Sequence, residues 1–243
     1  MNVSDHNKIL YEDLFSNNYE LSHLEKIKNI IKLIDNKPKR VLDVGCGDGW
    51  VGALIKKEFG SEVHGMDILD KALIKAKKNG LITKKFDLSK SKWPYKNNYF
   101  DLIIAGDIIE HIYDTDNFVK ECRRVLKKGG KLIVSIPNIN SYLNRLLILI
   151  GKYPLYVDYS TKKSIYKYVL VTGHVKVFNK KTITRLLADN SFKIDKIKGS
   201  YFVINKELFK SKLNFLTSAI NIFEKIMSKN TNIAPIIIIK AVK

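Results

Sequence analysis

Short apolar runs alternate along the first 140 residues with segments in which apolar residues recur at helical spacing. The strands predicted from the apolar runs cover residues 40–44, 62–66, 82–86, 100–105 and 131–136. Helices are predicted over residues 21–34, 49–59, 70–78 and 116–126. Short strands that alternate with helices are typical of a parallel sheet covered by helices on both faces. We therefore expect an α/β fold.

The pattern is less regular after Pro137. It predicts helices over residues 141–150, 182–188 and 208–227 and strands over residues 192–197 and 236–241, with a tyrosine-rich, irregular segment over residues 153–171. Gly129-Gly130 predicts the stop of the helix before it, because glycine commonly ends helices. We expect the helices over residues 141–150 and 208–227 to pack on the core, although a membrane-facing amphipathic helix has the same pattern.

Composition narrows the class of protein. The chain has 243 residues, of which 45% are hydrophobic, and this suits one globular domain. Its formal net charge of +19 raises nucleic acid or anionic membranes as partners. The lysines are scattered through every segment, so compositional bias explains the charge better and a nucleic acid partner is not expected.

The N-terminal residues do not predict a signal peptide, and the two cysteines do not predict disulfides or a metal site. Residues 1–6 lack the basic and apolar regions of a signal peptide, and the longest apolar runs are far shorter than the ~20 residues that span a bilayer. Cys46 and Cys122 do not form a CxxC pair, so neither a disulfide framework nor a metal site is expected. We expect a cytoplasmic protein.

The clearest chemical pattern is a glycine-rich turn between the first predicted strand and the following helix. Its sequence is Asp43-Val44-Gly45-Cys46-Gly47-Asp48-Gly49. Glycines permit a tight turn there and let the backbone approach a ligand closely. Asp67 ends the next strand, where a carboxylate can accept hydrogen bonds from ribose hydroxyls, and Asp87 follows the third strand, where one can accept from an adenine amino group.

Several ordered motifs resemble the class I S-adenosylmethionine-dependent methyltransferases, in particular the group that includes the ubiquinone-biosynthesis O-methyltransferases. Besides the glycine-rich turn, the matching segments are Gly65-Met66-Asp67-Ile68, Phe86-Asp87-Leu88, Phe100-Asp101-Leu102-Ile103, Glu110-His111 and residues 124–132. The resemblance covers residues 38–138 well and continues weakly through residues 173–178. It implies a Rossmann-like, mostly parallel sheet of seven strands with helices on both faces, an antiparallel C-terminal strand and a lid insertion.

The resemblance also implies one methyltransferase domain over residues 1–243. Its parts would be a helical cap (1–36), a cofactor-binding core (37–138), an insertion that covers the acceptor (139–178), and C-terminal helices and edge strands (179–243). The cofactor would be S-adenosyl-L-methionine, and the product S-adenosyl-L-homocysteine.

The resemblance assigns roles to particular positions. Asp43, Gly45, Cys46 and Gly47 would line the methionine end of the cofactor. The remaining assignments place ribose and adenine against Asp67 and Ile68, adenine against Asp87 and Leu88, and the sulfonium end against Gly106 and Asp107. In open α/β sheets, ligands bind at the carboxyl ends of the strands, and all these positions fall there.

Two histidines are candidates for the proton transfer that methylation of a hydroxyl requires. A neutral histidine is the usual general base near pH 7. His111 follows the fourth predicted strand, and His174 lies in the loop Thr172-Gly173-His174. Each is also compatible with a purely structural role.

The acceptor is expected to bind near the tyrosine-rich segment, which suits an aromatic or sugar compound. The apolar run over residues 146–150 between Arg145 and Lys152 also permits a lipid-linked acceptor or peripheral membrane contact. We therefore expect methyl transfer to a hydroxyl, less favourably an amine, of a small-molecule, glycan or lipid-linked acceptor. RNA or protein methylation, a nicotinamide-dependent dehydrogenase and a non-catalytic binding protein remain as alternatives.

Overall fold

A computed structural model describes residues 18–90, 92–157, 173–203 and 214–243 of the chain. Side chains are described from residue 23 onward in the first range and from residue 217 onward in the last. The predicted helix over residues 208–227 thus lies partly outside the described residues, as does most of the tyrosine-rich segment.

The described residues form one seven-stranded sheet with the order β3-β2-β1-β4-β5-β7-β6. Strands β1 to β5 pair in parallel, and β7 runs antiparallel to both of its neighbours. The strands are β1 (Arg40–Val44), β2 (Glu62–Asp67), β3 (Ile82–Lys85), β4 (Phe100–Gly106), β5 (Leu126–Pro137), β6 (Lys193–Ser200) and β7 (Ile236–Val242). The predicted mostly parallel sheet with an antiparallel C-terminal strand is confirmed.

Helices flank this sheet and connect its strands. They are α1 (Asn18–Leu33), α2 (Trp50–Phe59), α3 (Asp70–Lys78), α4 (Thr115–Val125), α5 (Tyr142–Leu149), α6 (Lys180–Asp189) and α7 (Asn214–Met227), with a short 3₁₀ turn at Ile109–His111. Side chains cap several N-termini: Asp114 accepts from the backbone of α4, Ser141 from that of α5, and Asn179 forms a capping box with Thr182. Such caps satisfy backbone donors that the first turn leaves without partners.

Two apolar clusters lie on opposite faces of the sheet because successive side chains of a strand point to opposite sides. Leu42 and Val44 of β1 belong to one cluster, together with Phe118 of α4. Val41, from the same strand, belongs to the other, together with Ile30 of α1. Both faces of the central strands are therefore buried, which explains their nearly continuous apolar sequences.

The predicted boundary between α4 and β5 is wrong. Helix α4 ends at Val125, where the backbone N–H groups of Asn98 and Tyr99 bond to the carbonyls of Arg124 and Val125 at 3.0 and 2.7 Å. The chain is extended from Leu126 onward, and Gly130 accepts a bond from the backbone of Lys243 at 3.0 Å. Gly129-Gly130 therefore lies inside an extended strand and does not stop the helix.

The predicted core packing of the two apolar helices is also wrong for several side chains. Leu149 of α5 is 82% exposed, and Leu146, Ile150, Phe223 and Ile226 are each about half exposed or more. The two helices meet where the ring of Tyr142 contacts that of Phe223 edge-on, with 5.3 Å between centroids. We call these five exposed side chains the α5–α7 apolar surface. Among the described residues, no helix is both long and apolar enough to cross a bilayer.

Candidate active site

A cavity of about 580 Å³ opens at the carboxyl ends of β1 and β4, beneath α1. Its volume is within the range of small-molecule sites, and this end of an open α/β sheet is where ligands bind. The lining residues are His23, Lys26, Ile27, Ile30, Asp43, Gly45, Cys46, Gly47, Asp48, Trp50, Val51, Leu69, Lys71, Ala72, Lys75, Ile104, Gly106 and Asp107. The cavity thus contains six of the ten positions expected to contact a cofactor: Asp43, Gly45, Cys46, Gly47, Gly106 and Asp107.

The glycine-rich turn forms the floor of the cavity. Gly45 has φ +69°, its N–H donates to the carbonyl of Met66 at 2.8 Å, and a Cβ atom there would lie 2.7 Å from Ile108. Gly47 has φ +53°, and a Cβ atom there would meet nothing within 4 Å. Gly45 is therefore required for packing as well as for its backbone conformation, whereas Gly47 leaves open space on the ligand side.

Asp43, one of the residues that line the cavity, has a buried carboxylate oxygen that lacks a partner. The side chain is buried and accepts a backbone hydrogen bond from Gly52, but its Oδ2 atom has no hydrogen-bond partner among the described residues. Burial above all, and then the negative charges of Asp67 and Asp48, raise the pKa of Asp43 to about 7. A buried acceptor in this condition favours a ligand that brings a donor or a positive charge.

A second cluster of polar residues lies where α1 approaches the end of β4, and the sequence revealed only its member Asp107. Asp107 accepts a hydrogen bond from the Ser135 hydroxyl at 2.7 Å and forms an ion pair with Lys26 of α1. Burial opposes ionisation of Asp107, but the Lys26 ammonium holds the pKa of this carboxyl below its usual value. Burial, together with Lys26, lowers the pKa of His23 to about 4, so this imidazole is neutral near pH 7.

Lys26 was missed by the sequence analysis, although its position on the apolar face of a predicted helix is a signal that could have identified it. It shares a helix face with Ile27 and Ile30, which also line the cavity, and only 7% of its surface is exposed. A lysine on the apolar face of a helix is costly to bury and therefore indicates a specific partner. That partner could not be predicted, because Asp107 is 81 residues away in sequence.

The other four expected cofactor positions do not line this cavity. Asp67 accepts from the N–H groups of Gly47 and Leu69, each at 2.9 Å, and thus tethers the glycine-rich turn to the start of α3. Ile68 is exposed, and it is Leu69 that reaches the cavity wall. The carboxylate of Asp87 is exposed and bonded to Ser89, whereas Leu88 is buried in the apolar core.

The two predicted histidines lie in contact. Their ring centroids are 4.8 Å apart. The backbone explains this proximity, since the N–H groups of Val175 and Lys176 bond to the carbonyl of Glu110 at 2.9 and 3.0 Å and thereby fix the loop with His174 beside the 3₁₀ turn with His111.

Hydrogen bonds determine the tautomer of both imidazoles. The Nδ1 atom of His111 lies 3.0 Å from the carbonyl oxygen of Gly173, and that of His174 lies 2.9 Å from the carbonyl oxygen of Tyr156. A carbonyl oxygen can only accept, so Nδ1 carries the proton in each ring. In the neutral form each imidazole therefore has its lone pair on Nε2.

Glu110 completes this cluster, which we call the Glu110 cluster (Glu110, His111, His174). The carboxyl group is 2% exposed, and neither of its oxygens has a hydrogen-bond partner among the described residues. Its Oε1 lies 3.9 Å from Nε2 of His174. Burial, and then the charge of Asp107, raise the pKa of Glu110 to about 8.

Comparison with known proteins agrees with this architecture. A family model described as a methyltransferase domain matches residues 19–197, which is most of the chain. The chain belongs to this methyltransferase family. The predicted resemblance to the class I S-adenosylmethionine-dependent methyltransferases is therefore confirmed at the level of the family.

The similar proteins act on different acceptor atoms. The chain is 32% identical to the norajmaline N-methyltransferase of Rauvolfia serpentina over 45% of its own length and 39% of that protein. It is also 32% identical to the ubiquinone biosynthesis O-methyltransferase of Coxiella burnetii, over 47% and 50% of the two chains. The matches thus span half or less of these relatives. A solved methyltransferase from Thermotoga maritima superposes with a TM-score of 0.61 at 18% identity, covering 99% of this chain and 96% of that one.

The residues of the cavity fit S-adenosylmethionine. The cofactor carries an α-ammonium group, which suits the unpartnered oxygen of Asp43, and an α-carboxylate, which suits the ammonium of Lys26. The open space at Gly47 allows backbone to approach the ligand without a side chain between them.

Proposed function

We propose that this protein transfers a methyl group from S-adenosylmethionine to a hydroxyl, less favourably an amine, of a small-molecule, glycan or lipid-linked acceptor. The observation that carries the proposal is the contact between the imidazoles of His111 and His174, whose Nδ1 atoms are bonded to backbone carbonyls and whose Nε2 atoms can therefore accept a proton. His111 lies five residues after Gly106, the end of β4, which lines the cofactor cavity. A hydroxyl acceptor must lose a proton, and a neutral imidazole is suited to take it.

The cofactor would lie across the ends of β1, β2 and β4. Gly45, Cys46 and Gly47 would line its methionine part by backbone contacts, with Asp43 near the ammonium group. Gly106 and Asp107 would lie near the sulfonium. Asp67 and Ile68 would contact ribose and adenine after a local adjustment, and Asp87 and Leu88 would contact adenine.

The protein's task in this reaction is placement and proton transfer. The bound cofactor supplies an activated methyl group on sulfur, so the protein need not provide a nucleophile of its own. The cavity walls would hold the acceptor oxygen in line with the methyl carbon and exclude water. His111 or His174 would accept the hydroxyl proton at Nε2, while the bond from Nδ1 to a backbone carbonyl keeps that ring oriented.

The α5–α7 apolar surface favours an acceptor with an apolar part. Asn144 of α5 accepts from the N–H of Leu155 at 2.8 Å, and the neighbouring carbonyl of Tyr156 holds His174. The exposed apolar helix is therefore joined to the proposed catalytic histidine through the backbone of Leu155 and Tyr156. This arrangement supports a lipid-linked acceptor approached from a membrane surface, with peripheral contact through α5 and α7.

The test is a methylation assay with isotopically labelled S-adenosylmethionine and a panel of phenols, glycans, lipid-linked hydroxyl compounds and amines. NMR of the product distinguishes O-methyl from N-methyl groups. His111→Ala and His174→Ala should lower turnover by about 10²–10⁴-fold for whichever histidine is the base. S-adenosylhomocysteine affinity, measured by calorimetry, should stay near that of wild type because neither residue lines the cofactor cavity.

Each part of the proposal can be refuted separately. Exclusive methylation of amines would reject the hydroxyl acceptor. Full turnover in both histidine variants would reject the base assignment. Failure of the wild-type protein to bind S-adenosylhomocysteine would reject methyl transfer by this chain altogether.

A further inference from the structure

The Glu110 cluster contains a buried carboxylate that the fold leaves without a hydrogen-bond partner. Glu110 is 2% exposed, and both of its oxygens lack partners among the described residues. A buried group in this condition costs roughly 1–3 kcal/mol or more, so such groups usually mark a ligand, a water or an ion. The cofactor cavity does not account for it, because Glu110 is not among the residues that line that cavity.

Potential ligand atoms surround this carboxylate. One atom from each of Glu110, His111 and His174 can be chosen so that all three lie within 4.8 Å of one another. Two ligands of one tetrahedral zinc ion are about 3.4 Å apart for metal–nitrogen bonds of about 2.05 Å. The side chains would thus converge by roughly 0.5–1.5 Å to close on an ion, a distance that side-chain rotation can supply.

The space and the supporting hydrogen bonds also suit an ion. A cavity of about 10 Å³, enough for a single water-sized sphere, lies against Glu110 and His174. His111 does not line this cavity, so its ring would have to turn toward an ion placed there. Both imidazoles are bonded from Nδ1 to a backbone carbonyl, that of Gly173 or that of Tyr156. Histidines that bind metals characteristically donate their other ring N–H in this way, and the bond orients the ring and fixes its tautomer.

We propose that Glu110, His111 and His174 bind one divalent first-row transition-metal ion, with Zn²⁺ as its simplest representative. Two imidazoles favour this class of ion over Mg²⁺ or Ca²⁺, which prefer sets of oxygen ligands. Three protein ligands leave at least one coordination position open, as in catalytic zinc sites.

The open position gives the ion a role in the proposed function, on which this last step rests. The hydroxyl oxygen of the acceptor would bind there, and its proton would leave to solvent because a bound cation stabilises the oxyanion. The oxygen lone pair would then form the bond to the methyl carbon, and the carbon–sulfur electron pair would go to sulfur. Because Nδ1 of each imidazole is bonded to a carbonyl, the ion would occupy the Nε2 atoms. In the metal-bound protein the ion would therefore take over the role of the base, and the role proposed for His111 or His174 as the base applies to the protein without metal.

The first test measures metal binding itself. Full-length protein without an affinity tag, stripped with chelator, is titrated with Zn²⁺ by calorimetry and with Co²⁺ by visible absorption, which reports nitrogen and oxygen ligation. We expect one ion per chain. Glu110→Gln and His174→Gln should each weaken Zn²⁺ binding by more than the ~10–100-fold typical of losing an outer-shell partner.

Glu62→Gln is the matched control. Glu62 also contacts a histidine, His64, at 2.9 Å, but the described residues offer no second histidine for a three-ligand set there. This variant should bind Zn²⁺ like wild type. Saturable binding that Glu110→Gln and His174→Gln leave unchanged would overturn the proposal, as would absence of stoichiometric binding or a preference for Mg²⁺.

S-adenosylhomocysteine affinity of the same samples separates the two proposals. Metal binding with no cofactor binding would retain the ion site and reject the methyltransferase function. Cofactor binding with no metal binding would retain the methyltransferase function and reject the ion site. Unchanged cofactor affinity in Glu110→Gln would also show that this variant is folded.

Discussion

At the scale of single residues, the site depends on carboxylates placed where water cannot satisfy them. Asp43 and Glu110 are both buried with unpartnered oxygens, and burial raises the pKa of both. Asp107 is also buried, but Lys26 and Ser135 stabilise its charge, and its pKa is lowered. This contrast indicates that a positively charged ligand would stabilise Asp43 and Glu110, whereas Lys26 already stabilises the charge of Asp107.

Asp43 should make cofactor binding depend on pH. Its pKa of about 7 is set by burial and by Asp67 and Asp48, against a backbone bond from Gly52. The ammonium group of the cofactor favours the ionised carboxylate, so S-adenosylhomocysteine affinity should rise as pH increases toward 7 and level off above it. Below that pKa the change approaches about tenfold per pH unit. Calorimetry from pH 5.5 to 8.5 measures it.

Variants of Asp43 test the assignment. Asp43→Asn should bind more weakly and with little pH dependence, whereas Asp70→Asn, which changes an exposed acid outside the cavity, should keep the wild-type profile. Folding gives a second measurement. Because the folded pKa lies above the unfolded value, the stability contribution of Asp43 is present below about pH 4 and is lost as pH rises toward about 7. A flat wild-type affinity profile would contradict the assignment.

At the scale of elements, the turn between β1 and α2 contains two glycines with different roles. Gly45 matters mainly for stability, and Gly47 matters mainly for ligand binding. Gly45 and Gly47 both have positive φ, which costs roughly 1–2 kcal/mol for another L-residue. Only at Gly45 would a Cβ atom also collide with Ile108. Gly45→Ala should therefore lower the free energy of unfolding by more than Gly47→Ala does, as measured by urea denaturation.

Gly47→Ala should instead act mainly on the cofactor, because its Cβ atom would enter open space on the cavity wall. We expect S-adenosylhomocysteine affinity to fall by about tenfold or more, equivalent to roughly 1.4 kcal/mol. Gly60→Ala is the control, since Gly60 has φ +69° with nothing within 4 Å but lies outside the cavity. Gly60→Ala should introduce the same backbone strain but leave the affinity for S-adenosylhomocysteine unchanged. Equal affinity in Gly47→Ala and Gly60→Ala would place the cofactor elsewhere.

The sequence predicted those elements whose local pattern decides their structure. The apolar strands β1, β2 and β4 and the glycine-rich turn are of this kind, because burial on both faces leaves an unambiguous pattern. The start of β5 was mispredicted because Gly129-Gly130 has the same sequence in a helix stop as in an extended strand. Backbone bonds from Asn98, Tyr99 and the C-terminus decide between the two, and these are distant in sequence.

The candidate site was predictable to a similar extent. Residues at strand ends could be placed because strand order determines where they meet. The ion pair between Lys26 and Asp107, and the contact between Glu110 and His174, join segments whose approach depends on tertiary packing. For the same reason a metal ion was not expected from the sequence, because Glu110 and His174, two of its proposed ligands, come together only in the folded chain.

At the scale of the whole molecule, the net charge and the α5–α7 apolar surface both favour binding to an anionic membrane. The formal charge of +19 is distributed over the chain and alone explains little. Lys152, next to α5, and Lys225 and Lys229, in or next to α7, are exposed beside the apolar side chains. Apolar side chains that insert into an interface, with lysines that attract anionic headgroups, are the two contributions that together retain a protein at a membrane.

The protein should therefore bind vesicles that contain phosphatidylglycerol and bind phosphatidylcholine vesicles much less, since each lysine near an anionic surface contributes about 1 kcal/mol. Leu149→Asp and Phe223→Asp should weaken the binding by at least about fivefold in vesicle sedimentation. Ile74→Asp is the matched control, because Ile74 is 58% exposed but lies on α3. High salt should weaken binding by all variants. Equal retention of wild type and Leu149→Asp would show that charge alone holds the protein to the vesicle, and it would remove the structural reason to seek a lipid-linked acceptor.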